Sequence, residues 1–307
     1  MLNKVKMALL SMQRYSWEQA VCALAFLEAG DTDIAIQLCY DAVNRQTPDG
    51  RLGNIGYQNA VTDPVAILPV LIEAHKRTND PVLKEAVDKV LQWSLKDAPR
   101  NKDGIVYHMD NTRQFWVDSL YMFPPALLSA GYADEAIKQA DGYINALWDS
   151  EKKLFRHIWD EERQEFKIAE FWGVGNGWAV AGLGRLIEGL PADKQEARER
   201  YIKIVDATCR AALALQKDGL FYNFLDKPNS FIEGNFAQML CYTIAKGVKQ
   251  GWLNAELLDK AKPIREAALG LVDDYGFVKP VCGAPRFNSP GIAPEGQAFH
   301  ILMESVF

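Results

Sequence analysis

Cysteine is too scarce, and too irregularly placed, to build a disulfide framework in this chain of 307 residues. Cys22, Cys39, Cys209, Cys241 and Cys282 are an odd number with no CxxC spacing, and the first four lie in helix-like apolar stretches. They read as buried thiols of a reducing compartment. Histidine is also sparse: His75, His108, His157 and His300 stand in no HExxH or similar spacing, so no metal site is expected. His75 and His300 sit in helical stretches and read as surface or packed residues. A Gly-x-Ser-x-Gly elbow is missing and the cysteines lack an activating context, which sets aside covalent serine or cysteine catalysis. The glycines around Asn176 have no strand pattern before them and no Gly-Lys-Ser/Thr after them, so no nucleotide site is expected. Positive charge is in deficit, with a net charge of -6, which argues against nucleic acid as a partner. A small anionic ligand held by local arginines stays compatible with it. No apolar run reaches transmembrane length, and the residues after Met1-Leu2-Asn3-Lys4-Val5-Lys6 are too few for a signal h-region. The expectation is a soluble cytoplasmic chain without a membrane partner, or a secreted one whose signal peptide has been removed.

What is present is ordinary globular material: 49% hydrophobic and 24% charged residues, enough for a large core. No Pro/Gly/Ser-rich or charge-rich stretch divides the chain, so residues 1–307 read as one domain. A turn-plus-strand unit recurs at Asp49-Gly50-Arg51, Asp103-Gly104-Ile105, Lys153-Leu154-Phe155, Asp218-Gly219-Leu220 and Tyr275-Gly276-Phe277. Between these turns the apolar residues follow helical spacing, as in Asp33 to Asn44, Val82 to Leu95, Asp134 to Leu147, Gln195 to Leu215 and Gln238 to Val248. Each unit holds two helices, and no strand pattern is long enough for a sheet. This all-α pattern fits either an open solenoid or a closed toroid of inner and outer helices, which periodicity does not separate. Tryptophans near the unit junctions would line one mouth of a toroid and suit sugar rings.

Six junctions carry polar and aromatic clusters that open helices: Gln13 to Gln19, Asn59 to Pro64, His108 to Met122, Glu170 to Trp178, Phe231 to Asn235 and Ser289 to Gln297. Capping alone accounts for any one of them, and Asp63 before Pro64 is a good N-cap with proline in the first turn. Asp118 stands apart. It lies inside Phe115-Trp116-Val117-Asp118-Ser119-Leu120-Tyr121-Met122, where an ionised carboxylate is costly, so it is a capped or hydrogen-bonded structural Asp or a carboxyl group that keeps its proton. A carboxylic acid protonated near neutrality is what general acid catalysis needs. Gln114 and Trp116 flank it, and Asp63 would share its mouth if the helices form a toroid.

Taken together, these residues resemble the unsaturated uronyl hydrolases, in particular the unsaturated rhamnogalacturonyl hydrolase group, glycoside hydrolase family 105 and its relative family 88. The likeness runs over nearly the whole chain. It is carried by Tyr15-Ser16-Trp17-Glu18-Gln19, Asp63 with the helix after it, His108, Gln114 to Met122, Trp172 to Trp178, Asp218 to Phe221, and Glu295-Gly296-Gln297-Ala298-Phe299. The resemblance implies an (α/α)6 barrel with Asp118 as general acid and base and Asp63 close beside it. It also implies a sugar site lined by His108, Trp172 and Trp178; Tyr15, Trp17, Gln114, Trp116, Asn176 and Arg14 are the further substrate contacts expected. The implied partner is an oligosaccharide ending in a 4,5-unsaturated uronic acid, handled without metal or organic cofactor by a monomer or weak homodimer. On that reading, like charge on Asp63 helps keep Asp118 protonated.

One position departs from the family pattern: Val174 stands where an arginine is common, and Arg14 and Arg113 are the candidates to supply the cation instead. Two other readings are a helical-repeat protein that binds a glycan or peptide without turnover, and an (α/α)6 sugar epimerase. An epimerase would call for several cavity histidines, and only His108 and His157 lie near junctions.

Overall fold

The computed structural model describes residues 1–53 and 59–307. The chain runs through α1 (Leu2–Met12), α2 (Ser16–Glu28), α3 (Thr32–Asn44), α4 (Leu68–Thr78), α5 (Pro81–Gln92), β1 (Gln114–Trp116), α6 (Ser119–Met122), α7 (Pro124–Ser129), α8 (Ala133–Leu147), β2 (Trp148–Asp149), β3 (Leu154–Phe155), β4 (Ile158–Asp160), β5 (Glu165–Ile168), α9 (Gly173–Gly189), α10 (Gln195–Leu213), β6 (Phe221–Tyr222), β7 (Ile232–Glu233), α11 (Asn235–Lys249), α12 (Glu256–Leu269) and α13 (Pro294–Val306).

Burial sorts these helices into two rings. α2 buries 11 of its 13 residues, whereas α3, of the same length, buries 4. A helix that is apolar nearly all round belongs inside, and one with a single apolar stripe belongs outside. The inner helices touch in sequence, α2 on α4, α4 on α7, α6 and α7 on α9, α9 on α11, α11 on α13, and α13 back on α2. Each has an outer partner: α3 packs on α2, α5 on α4, α8 on α7, α10 on α9, α12 on α11 and α1 on α13. The contact of α13 with α2 closes the ring, so the fold is an (α/α)6 barrel and not an open solenoid. The sequence-derived helical segments fall on α3, α5, α8, α10 and α11.

The recurring turns return the chain from the outer ring to the inner one. Gly50 has φ 109°, and a Cβ there would lie 2.7 Å from the carbonyl oxygen of Lys89, so the turn requires glycine. The inner helix formed by α6 and α7 is broken at Phe123, where Pro124 and Pro125 remove two amide donors and start a new helix. Contrary to the expectation of no sheet, β1, β4 and β5 form a three-stranded antiparallel sheet with Phe115 opposite Trp159 and Trp159 opposite Phe166. Its strands have three or four residues, too short to set up a visible period of two. Among the described residues no helix is long and apolar enough to cross a membrane.

Candidate active site

All six polar and aromatic junction clusters lie at or just before the N-termini of inner helices, so they gather at one end of the barrel. There a cavity of about 180 Å³ opens. Tyr15 and Trp17 reach it from the start of α2, and their rings stack at 4.6 Å. Trp116 comes from β1, while Trp172, Val174 and Trp178 come from the start of α9. The Trp172 indole N–H donates to Asn223 Oδ1 at 3.1 Å, which fixes the ring. α9 can crowd this end because its glycines are small: a Cβ on Gly175 would meet Val117 Cγ1 at 2.6 Å.

Asp118 immediately precedes α6, but its side chain makes no capping hydrogen bond to that helix. It faces the cavity and keeps some exposure there, while Oδ2 is buried with no hydrogen-bond partner among the described residues. Burial raises its carboxyl to about 7, against a small opposing effect of its own amide N–H. Asp63 lies on a single 3-10 turn, Asp63–Val65, and is 5% exposed. Burial, and then the charge of Asp118, push it up to about 8. The two carboxyls line one cavity, and a negative charge on Asp118 favours the proton on Asp63.

His108 Nε2 is 3.9 Å from Asp63 Oδ1, and its Nδ1 is 2.8 Å from Thr62 Oγ1 and 3.1 Å from Ser119 Oγ. The ring stacks on Trp116 at 4.4 Å. Burial pulls His108 down to about 3, helped by His157, so both hydroxyls meet a neutral imidazole. His157 is likewise held down to about 4 by burial, and it packs between Trp116 and Trp172.

Three expected substrate contacts do not line the cavity. Asn176 is wholly buried: its Oδ1 accepts from Phe155 N at 2.8 Å, and its Nδ2 donates to the carbonyls of Phe155 at 3.0 Å and Trp172 at 2.9 Å. It ties β3 to α9 and has nothing left for a ligand. Gln114 bridges Asp160 Oδ2, at 2.9 Å, and the Trp116 indole N–H, at 3.1 Å, so it orients Trp116 from behind. Arg14 is exposed, with its guanidinium turned onto the Met12 carbonyl, and it does not line the cavity. Arg113 is exposed too and lies over the Tyr107 ring at 5.2 Å. Val174 does face the cavity, but neither arginine replaces a cation beside it.

Sequence reasoning gave no role to Glu295, Cys282, Pro285 or Phe287, which also line the cavity. Glu295 opens α13, and its Oε1 accepts the Trp17 indole N–H at 2.6 Å. The cluster Ser289 to Gln297 was the available signal for it. The fifth cluster does capping work instead: Glu233 accepts from the Phe236 amide at 2.9 Å and the Cys282 amide at 3.2 Å.

Comparison with known proteins now decides the family. The model of Glycosyl Hydrolase Family 88 matches residues 2–289. The chain belongs to this family. It is 27% identical over 224 residues to the unsaturated rhamnogalacturonyl hydrolase YesR of Bacillus subtilis, a match that takes in 67% of this chain and 62% of that protein. It is 30% identical over 209 residues to an unsaturated 3S-rhamnoglycuronyl hydrolase of Formosa agariphila, with 60% of this chain and 54% of that protein covered. The matches thus span less than two thirds of each relative. Among solved structures, a possible member of the GH105 family from Salmonella enterica superposes with a TM-score of 0.87 at 19% identity, covering 99% of this chain and 91% of that one. A glycoside hydrolase from family 105 of C. acetobutylicum ATCC 824 gives 0.79 at 20% identity, covering 95% and 93%. These likenesses establish the barrel.

Proposed function

We propose that this protein is a glycoside hydrolase that removes a terminal 4,5-unsaturated uronic acid from lyase-generated oligosaccharides. The observation that carries the reading is Asp118: a carboxyl group on the wall of an aromatic cavity, raised toward neutrality by burial, with an oxygen that nothing among the described residues engages. Such a group can donate a proton at neutral pH and then act as a base. The unsaturated ring is a vinyl ether. Protonation of C4 by Asp118 makes C5 electrophilic, and water adds there while giving a proton back to the carboxylate. The resulting hemiketal opens, the bond to the next sugar breaks, and that sugar leaves with its hydroxyl. Asp63, raised by burial and by the charge of Asp118, helps the pair hold a proton near neutrality, and Trp172, Trp116 and Tyr15 line the cavity where a sugar ring would sit. This differs from hydrolysis by two opposed carboxylates acting at the anomeric carbon.

Support comes from family membership and from relatives whose names specify unsaturated rhamnogalacturonyl and rhamnoglycuronyl substrates. The epimerase reading fits less well, because His108 and His157 are both held neutral and supply no imidazolium acid. Five buried, unpaired thiols support a reducing compartment, and the cytoplasm is the location we propose. The test is a panel of lyase-generated unsaturated disaccharides, followed by loss of the ultraviolet absorbance of the conjugated double bond. Turnover of at least one, abolished by Asp118→Asn, is expected. Absence of turnover on the whole panel would overturn the proposal.

A further inference from the structure

A uronic acid brings its own carboxylate into the cavity, and the lining offers it an unusual reception. Asp63, Asp118 and Glu295 are all there, and no arginine or lysine stands among the described lining residues. Three carboxyl groups around so small a space do not ionise together without a cation, still less beside a fourth. We propose that Glu295 is a further substrate-binding residue, which as the neutral acid donates a hydrogen bond from Oε2 to the substrate carboxylate, so that a retained proton takes the place of a cation. The identity of that substrate rests on the hydrolase reading.

Geometry assigns the atoms. The Trp17 indole N–H donates to Oε1 at 2.6 Å, so Oε1 is an acceptor and the acid proton belongs on Oε2. Oε2 is buried and has no hydrogen-bond partner among the described residues, in a residue that is 3% exposed. The titratable surroundings favour the proton. Glu18 approaches from α2 with its Oε2 accepting the amides of Arg14, at 2.7 Å, and Tyr15, at 3.0 Å. Asp118 and Asp63 line the same cavity, with neutral His108, Cys282 and Tyr15 as its other ionisable lining groups. Burial first, then Glu18, and to a smaller degree Asp118, push Glu295 up to about 8, against the opposing effects of its own amide and the Trp17 donor.

Substrate affinity should then be proton-linked. Glu295→Gln is the informative variant: its amide oxygen can accept from Trp17 while its NH2 donates into the cavity at every pH, as the neutral acid does only when protonated. Glu295→Ala removes the donor. KM for a turned-over unsaturated disaccharide, and Kd for D-glucuronate from tryptophan fluorescence, would be measured from pH 6 to 9.5 on all three proteins. Above about pH 8 the parent should lose affinity by up to about tenfold per pH unit for this one proton. The slope of log Kd against pH should fall by one in Glu295→Gln, and that variant should restore most of the affinity that Glu295→Ala loses at pH 6.5. A slope unchanged by Glu295→Gln, a glutamine variant as weak as the alanine variant, or no glucuronate binding by the parent would overturn the proposal. If no unsaturated disaccharide is turned over while glucuronate binding follows the expected pattern, the hydrolase reading fails and the role of Glu295 stands.

Discussion

Replacing Asp118 by asparagine is expected to stabilise the fold while removing the chemistry, with a gain that grows as the pH rises. The folded-state carboxyl is pushed up to about 7 by burial, whereas an aspartate in an unfolded chain ionises near about 3.9. A raised carboxyl means that the folded state holds its proton longer than the unfolded state does. Below about pH 4 both states are protonated and the group is neutral to stability; between about 4 and 7 the unfolded state alone gains from ionising, and the fold loses stability. Three pH units at about 1.4 kcal/mol each set a ceiling of about 4 kcal/mol. Asp118 keeps some contact with cavity water, which relaxes the buried charge and brings the expected penalty to about 2 kcal/mol. Asparagine cannot ionise and escapes it. Thermal unfolding of both proteins from pH 4 to 8 should therefore give equal midpoints at the acid end and a variant several degrees higher at pH 8. A difference that is constant with pH, or a variant less stable at pH 8, would refute the claim that Asp118 is held protonated by its surroundings.

Turnover by Asp118→Asn should fall by at least two to four orders of magnitude, the usual contribution of a positioned acid, with glucuronate binding retained. Binding that is lost along with turnover would point to a collapsed cavity. Val174→Arg places a cation on a wall shared with three carboxyl groups, and should lower the pH limb at which Asp118 loses its proton by about one to three units in kcat; a profile that does not move would show that the new guanidinium points elsewhere. Asn176→Ala leaves the Phe155 amide and carbonyl unpaired in the interior and should cost about 2 kcal/mol or more in stability. An unchanged melting temperature would contradict its structural role. Arg14→Ala should leave KM within about twofold, because its guanidinium is turned onto the Met12 carbonyl and away from the cavity; a tenfold rise would return Arg14 to the binding site.

The outer helices were legible in the sequence because each buries a single stripe, and a stripe imposes a period that neighbouring residues carry by themselves. α3, α8 and α10 begin within a residue of the positions that periodicity indicates. The inner-helix openings were legible for a related reason: turn and capping chemistry acts over three or four residues, so the six junction clusters show themselves locally. Asp118 was visible because a charge inside an aromatic run violates a local rule. What those clusters do once assembled is a different matter. Asn176 looks like a ligand contact in sequence and is structural in the fold, because Phe155, which it holds, comes from another part of the chain. Glu295 acquires its surroundings only when α13 lands on α2 and the Trp17 indole reaches it across 278 positions of sequence. The closeness of Asp63 and Asp118 in one cavity is likewise a product of the closed ring. Local pattern determined the helices and where they begin; closure of the ring, a sum of contacts between residues far apart in the chain, decided which of their ends share one desolvated space, and desolvation in turn decides which of its acids stay protonated.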